Sequence, residues 1–352
     1  MAPGFSSGDA IGSQMCRMRA LFREWGYESQ VYAPIRDQRL PDAGLPPSDY
    51  PAHPDSVLVY HYSAYSPLND LVLALPGKVV FYYHNVTPPH FFRPYDPDFA
   101  ARLARGRDEA RRFRSCFQAW SDSEYNARDL TQMGFGSVTV IPLFIHIDEL
   151  LSTAESPQAR RIAHRYSDGW VNWLFVGRLA PNKCQHDIIR AFKHYHRSIN
   201  PLSRLFLVGS DGGLPAYRRE LELMAADLVP ECVHLPGPVS FEDLTGYYQA
   251  ASLFVSMSEH EGFGIPLIEA MGFDIPVLAF KAAAVPETLG GAGVLVNGKH
   301  HGVIAEMAEL LTRDPKLRGR IIEKQRERLR QLTPERARNA LLEAVQSLQA
   351  DG

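Results

Sequence analysis

The run Ser258-Glu-His-Glu-Gly-Phe-Gly-Ile-Pro-Leu-Ile-Glu-Ala-Met271 follows the apolar stretch Leu253-Phe-Val-Ser-Met257. The order predicts a buried strand, a glycine-containing loop, and a helix whose first turn is marked by Pro266. Such a junction suits an anion. The N–H groups at a helix start lack intrahelical acceptors and sit at the positive end of the dipole, and Gly262 and Gly264 let a phosphate approach the backbone. Glu261 stands in the loop and Glu269 lies about one turn into the helix. A pair of acids on either side of a diphosphate seat suits hydroxyl groups, a sugar at one end and a ribose at the other. The plainer reading is a capped helix carrying two solvated acids.

Outward from this junction the chain alternates strands and helices. Strands are predicted over Ser56 to Tyr62, Lys78 to Tyr83, Val138 to Ile141, Val171 to Val176, Arg204 to Val208, Cys232 to Leu235, Ser252 to Met257 and Pro276 to Phe280. That alternation indicates an α/β fold with parallel sheets. Ile11, Met15, Met18, Phe22 and Trp25 recur at helical spacing, and Gly26 stops that helix. A second helix is predicted from about Asp98 to Phe117. Residues Pro142 to about Asp168 lack a strand pattern and separate two strand–helix series. The expected division is 1–160, 161–330 and a final helix over 331–352.

Composition narrows the function classes. The 352 residues are enough for two cores, with 45% apolar and 22% charged residues. A net charge of -3 argues against a nucleic-acid surface as the main business. No run reaches the roughly 20 apolar residues of a membrane span, and the first residues lack a signal-peptide pattern. Cys16, Cys116, Cys184 and Cys232 are widely spaced and read as reduced thiols, which fits a cytoplasmic location.

The second series opens on Val171 to Val176, which delivers Gly177 and Arg178 to the carboxyl end of a strand, where ligands of open α/β sheets bind. Lys183 follows closely. A planar guanidinium and a compact ammonium together suit a diphosphate that gains charge as it leaves.

Four features taken together resemble the retaining GT-B glycosyltransferases of family 4, the glycosyl transferases group 1. They are the Glu261-x7-Glu269 stretch, Val176-Gly-Arg-Leu-x3-Lys183, the pair His84-Asn85 after a strand, and Ser121-Asp-Ser-Glu124. The resemblance covers nearly the whole chain and is strongest from Gly169 to Val296. It implies two Rossmann-like domains facing across a cleft, the acceptor mainly with the first and the nucleotide sugar mainly with the second. Arg178 and Lys183 would hold the donor diphosphate, Glu261 the donor sugar and Glu269 the ribose, with Gly177, Gly262, Phe263 and Gly264 also lining the donor site. His84 would sit against the donor sugar, and a loop from Gly8 to Gly12 would close over the phosphates. The implied reaction is hexosyl transfer from a UDP-, GDP- or ADP-linked sugar to a hydroxyl of a saccharide or lipid-linked acceptor. It would run with no cofactor or metal, through an oxocarbenium-like state in which the leaving phosphate draws the acceptor proton. On that basis His194, His196, His300 and His301 are expected to be ordinary surface histidines rather than ligands.

Two points depart from the family pattern, the start of the chain and Gly272-Phe-Asp274, which replaces the small residues common after the helix. The residues before Gly8 include Pro3, Gly4, Ser6 and Ser7, poor material for a central strand, so the first strand of the first domain is expected to be missing. A nucleotide-sugar-binding protein without efficient transfer is therefore the alternative reading, and a GT-B epimerase is a weaker rival. The Arg-rich segment Arg102 to Arg114 would allow peripheral contact with the inner face of a membrane if the acceptor is lipid-linked, although Asp108 and Glu109 interrupt it.

Overall fold

The computed structural model describes residues 1–6, 10–37, 42–228 and 232–350. The chain divides into two compact units, one made of Met1–His90, Asp98–Ile145 and Thr333–Gly352, the other of Phe91–Pro97 and His146–Leu332.

Among the described residues, six strands belong to the first unit: β1 (Gly4–Phe5), β2 (Ile35–Arg36), β3 (Val57–Tyr62), β4 (Lys78–Tyr83), β5 (Gln118–Ser121) and β6 (Val138–Val140). β3-β4-β5-β6 form a parallel sheet in that order, and β1 pairs with β2, also in parallel. Among the described residues no five-residue strand forms at the start of the chain. Residues 1–5 nevertheless lie where a central strand would. The Met1 amine donates to Val59 O at 2.7 Å and His61 N donates to Met1 O at 2.9 Å, while Ala2 N donates to Tyr32 O at 3.1 Å. The strand is thus reduced to a short irregular segment with partners on both sides. Burial lowers the Met1 α-amino group from 8.0 to about 5.

The helix Ala10–Glu24 buries Met15 and Met18, and Gly26 after it is left-handed at φ 88°. Gly12 lies inside this helix, not in the phosphate-covering loop expected of it. The alternation that places Met15 and Met18 inward already includes Ile11, so the helical period begins before Gly12. Gly8 is outside the described residues. The Arg-rich helix runs Pro97–Ala110 and gives way to a 3-10 turn at Arg111–Phe113, shorter than expected, because Gln118–Ser121 enters the sheet as β5 with Trp120 fully buried. The helix Pro334–Ala350 closes this unit's core, packing Leu341, Ala344, Val345 and Leu348 on Val80, Tyr82, Trp120 and Ile141.

The second unit carries β7 (Val171–Val176), β8 (Ser203–Val208), β9 (Val233–Gly237), β10 (Leu253–Ser256), β11 (Val277–Phe280) and β12 (Val294–Val296). They form one parallel sheet ordered β12-β11-β10-β7-β8-β9. β7 and β8 pair continuously from Val171↔Ser203 to Val176↔Val208. Leu174, Phe206, Phe254 and Val277 build the core with Tyr248, Leu267 and Met271 from flanking helices. Near-continuous apolar strands are what a parallel sheet covered on both faces requires. The segment between the two strand series is helical, Ile147–Ala154 and Pro157–Arg165.

Candidate active site

Every element of the site in the second unit rises from the carboxyl end of a strand. β7 is followed by Gly177 at φ 148° and β8 by Gly209 at φ 146°. A Cβ on Gly209 would stand 2.1 Å from Gly177 O, so the two strand ends approach more closely than any side chain allows. After β7, the Arg178 stem lies beside Gly212, where a Cβ would stand 2.5 Å from Arg178 Cδ, and desolvation lowers the pKa of its guanidinium. Its carbonyl accepts from Gln185 Nε2 at 2.9 Å.

The short 3-10 turn Pro181–Lys183 brings Lys183 to Glu261, with Nζ 2.5 Å from Oε2. Both side chains are largely shielded, at 21% and 14% exposure, which strengthens the pair relative to one in open water. Asn182 stitches the two loops together, donating from Nδ2 to His260 O at 3.1 Å and accepting at its own carbonyl from Glu259 N at 2.9 Å.

The predicted glycine loop and helix are present as Gly264 at φ 96° followed by the helix Ile265–Gly272, with Pro266 in its first turn. The loop is braced from behind. Thr288 Oγ1 donates to Phe263 O, and Ala284 N donates to Glu261 O at 3.3 Å. Glu269 is not a solvated acid. Tyr248 Oη donates to its Oε2 at 2.6 Å, and burial raises its carboxyl above the ordinary glutamate value despite that bond. A buried carboxylate with one donor has room for more, which hydroxyl groups of a ligand can supply.

Residues 166–328 match the family model for glycosyl transferases group 1. The match covers just under half of the chain. A similar protein is the D-inositol 3-phosphate glycosyltransferase of Acidothermus cellulolyticus, 31% identical over 179 residues, or 48% of this chain and 39% of that protein. The chain therefore spans well under two thirds of this curated relative. Among solved structures, sucrose-phosphate synthase from Thermosynechococcus elongatus superposes with a TM-score of 0.73 at 17% identity, over 100% of this chain and 96% of that one. Anabaena HepE, solved in complex with UDP and glucose, gives a TM-score of 0.64 at 20% identity over 82% and 77% of the two chains. The fold is GT-B, with two Rossmann-like units.

Within the matched segment the structure brings together Gly177, Arg178, Lys183, Glu261, Gly262, Phe263, Gly264 and Glu269 on adjacent strand-end loops and the helix that follows. It adds Tyr248 behind Glu269 and Phe92 beneath Arg178, neither of which carries a local sequence signal. Nearby, Cys184, His186 and Asp187 place their ligand atoms within 4.8 Å of one another. The Lys299 ammonium already pairs with Asp187 at 2.9 Å and Glu259 at 2.6 Å, and His301 reaches Asp187 at 3.3 Å.

His84 belongs to the first unit and follows β4. Its Nδ1 lies 3.0 Å from Asp122 Oδ2 and its Nε2 2.9 Å from His61 Nδ1. The tautomer that satisfies both contacts has the His84 proton on Nδ1, donated to Asp122 Oδ2, and Nε2 accepting from His61 Nδ1. Asp122 is itself held by Asn126 Nδ2 at 2.5 Å. Both ring nitrogens of His84 are thus engaged within the unit. The recognised Ser121–Glu124 stretch supplies Asp122; His61, inside a strand, was not legible as a partner.

The Arg-rich helix is largely neutralised. Arg105 and Arg112 pair with Glu109, Arg107 with Asp129 and Arg111 with Asp108. Among the described residues no helix is long and apolar enough to cross a membrane.

Proposed function

We propose that the chain is a retaining hexosyltransferase, taking its sugar from a UDP-, GDP- or ADP-linked donor and passing it to a hydroxyl of a saccharide or lipid-linked acceptor, without a metal. The observation that supports this most is the Lys183–Glu261 pair, which joins the loop that follows Arg178 to the loop that leads into the helix Ile265–Gly272. Arg178, Lys183 and the helix-start N–H groups offer fixed positive charge for a departing diphosphate, which is where rate enhancement by electrostatic stabilisation would come from. Glu261, oriented by Lys183, would meet sugar hydroxyls, and Glu269 with Tyr248 would take the ribose. His84 would contribute from the first unit, its tautomer set by Asp122. A place in the cytoplasm or at the inner face of a membrane suits a nucleotide-sugar donor.

The shortened β1 and the closed His61–His84–Asp122 network favour one alternative, a nucleotide-sugar-binding protein that transfers poorly. Thermal unfolding against UDP, GDP, ADP and their sugar conjugates, with and without Mg²⁺, followed by NMR of the product anomer, separates the two. Ligand at a hundred times its Kd should add about 2.7 kcal/mol of stability. A metal-independent shift with one nucleotide family, and a product that keeps the donor's anomeric configuration, is expected. Binding without turnover or donor hydrolysis supports the alternative, and no shift from any nucleotide overturns both.

A further inference from the structure

Seven residues of the first half of the chain, Phe91–Pro97, belong to the second unit. They do not cross it idly. Phe92 is only 2% exposed and its ring lies under the Arg178 guanidinium, with the Cζ atom 5.6 Å from the ring centroid. On another side the Arg178 stem meets Gly212, which leaves no room for a side chain. Tyr95 packs edge-on against Tyr217 with centroids 5.1 Å apart, and its hydroxyl donates to Glu220 at 2.7 Å. Tyr217 in turn donates to Gln185 Oε1 at 3.1 Å, and Gln185 Nε2 donates to Arg178 O. The segment therefore reaches Arg178 twice, through the ring beneath its guanidinium and through a chain of contacts ending on its carbonyl.

We propose that Phe91–Pro97 is a positioning strap for Arg178, with Phe92 and Tyr95 as its working residues, and that it sets how tightly the second unit grips the diphosphate of a nucleotide. An exposed arginine has many rotamers, and fixing it in advance removes an entropy cost from each binding event. An aromatic face suits this task because it attracts the guanidinium without occupying the hydrogen-bond donors that phosphate oxygens require. An acid in the same place would hold the arginine but compete with the ligand.

This inference rests on the donor-site reading above and fails separately from it. The test is calorimetric titration of the wild-type chain and of Phe92→Leu, Phe92→Trp and Tyr95→Phe with UDP, GDP and ADP and with the matching nucleosides. Phe92→Leu should weaken nucleoside diphosphate binding by about three- to thirtyfold, the worth of a partly desolvated cation–π contact, and leave nucleoside binding unchanged. Phe92→Trp should restore the diphosphate affinity. Tyr95→Phe keeps the ring against Tyr217 and loses only the Glu220 bond, so it should fall between the wild type and Phe92→Leu. Equal losses for diphosphate and nucleoside would mean general damage to the unit and overturn the strap, as would a Phe92→Leu chain that binds diphosphates like the wild type. A wild-type chain that binds none of the three diphosphates would instead overturn the donor site itself.

Discussion

In the second unit the ends of β7, β8 and β10 carry glycines, an exposed arginine and a lysine–glutamate pair, and the loops that bear them are tied to one another by backbone bonds. In the first unit the side chains on and after β3, β4 and β5 include His61, His84 and Asp122, which close on each other. One sheet is complete and presents charge at its rim. Among its described residues the first unit has four strands in its main sheet beside a separate pair of two-residue strands, and keeps its polar groups to itself. The same layer design thus serves two ends. A continuous sheet supplies a rigid rim whose charge would suit an anion, whereas the first unit is filled out by a buried polar network whose stability depends on protonation.

The rim can be broken by a single charge. Lys183→Ala should lower kcat by about one to three orders of magnitude, as expected for loss of a donor aimed at a leaving group. The same change leaves Glu261 without its ammonium partner, so the donor sugar contact should loosen as well and KM should rise. Steady-state kinetics with the donor found in the nucleotide screen decides it. Turnover close to that of the wild type would remove Lys183 from the reaction and, with it, the contrast between a charged rim and a closed one.

The rigidity of the rim is tested at Gly209. Alanine there would combine a conformation side chains rarely adopt with a Cβ 2.1 Å from Gly177 O. A loss of about 2–4 kcal/mol in urea unfolding is expected, strain and overpacking together. An unchanged midpoint would show that β7 and β8 do not approach so closely.

The first unit should be the acid-sensitive one. Burial holds the Met1 amine at about 5 and keeps His61 well below its ordinary value, so neither is protonated in the fold near neutrality. Between pH 8 and pH 5 the unfolded chain takes up protons that the folded chain refuses. Stability is therefore full above pH 8 and declines as pH falls through that window, the amine accounting for about 4 kcal/mol by pH 5. Urea unfolding at pH 8, 6.5 and 5 measures the decline. Adding residues before Met1 should abolish the amine's share and leave that of His61, and a flat pH response in the chain beginning at Met1 would contradict the burial of both groups.

Legibility in the sequence followed the range of the contacts. The β10 loop and its helix were readable because strand, glycines, Pro266 and Glu269 lie within a few residues of one another, and the β7 end with Arg178 and Lys183 for the same reason. β5 was lost because Gln118 and Ser121 bracket only Ala119 and Trp120, too short a run to show a period. β1 was rightly judged poor strand material, yet its backbone bonds to Val59, His61 and Tyr32 come from residues far away in the chain. Gly12 was misplaced because a family loop was carried onto a segment whose own periodicity already said helix. Phe92 and Tyr248 act on residues 86 and 21 positions away, on elements whose order no local pattern reveals.

Tyr248 offers the mildest test of the rim. Its hydroxyl is the bond that keeps the buried Glu269 carboxyl from rising further, and Tyr248→Phe removes that bond with little change in packing. The carboxyl should then favour its protonated form more strongly and accept ribose hydroxyls less well. Nucleoside diphosphate binding should weaken by about two- to tenfold, the net worth of roughly 0.5–1.5 kcal/mol for one hydrogen bond. Raising the pH should recover part of the loss, because an ionised Glu269 regains its acceptor strength. The recovery distinguishes this mechanism from a packing defect, which pH would leave untouched. If Tyr248→Phe binds as the wild type does at every pH, Glu269 is a structural acid sealed by a tyrosine, and the second unit holds its nucleotide by the phosphates alone.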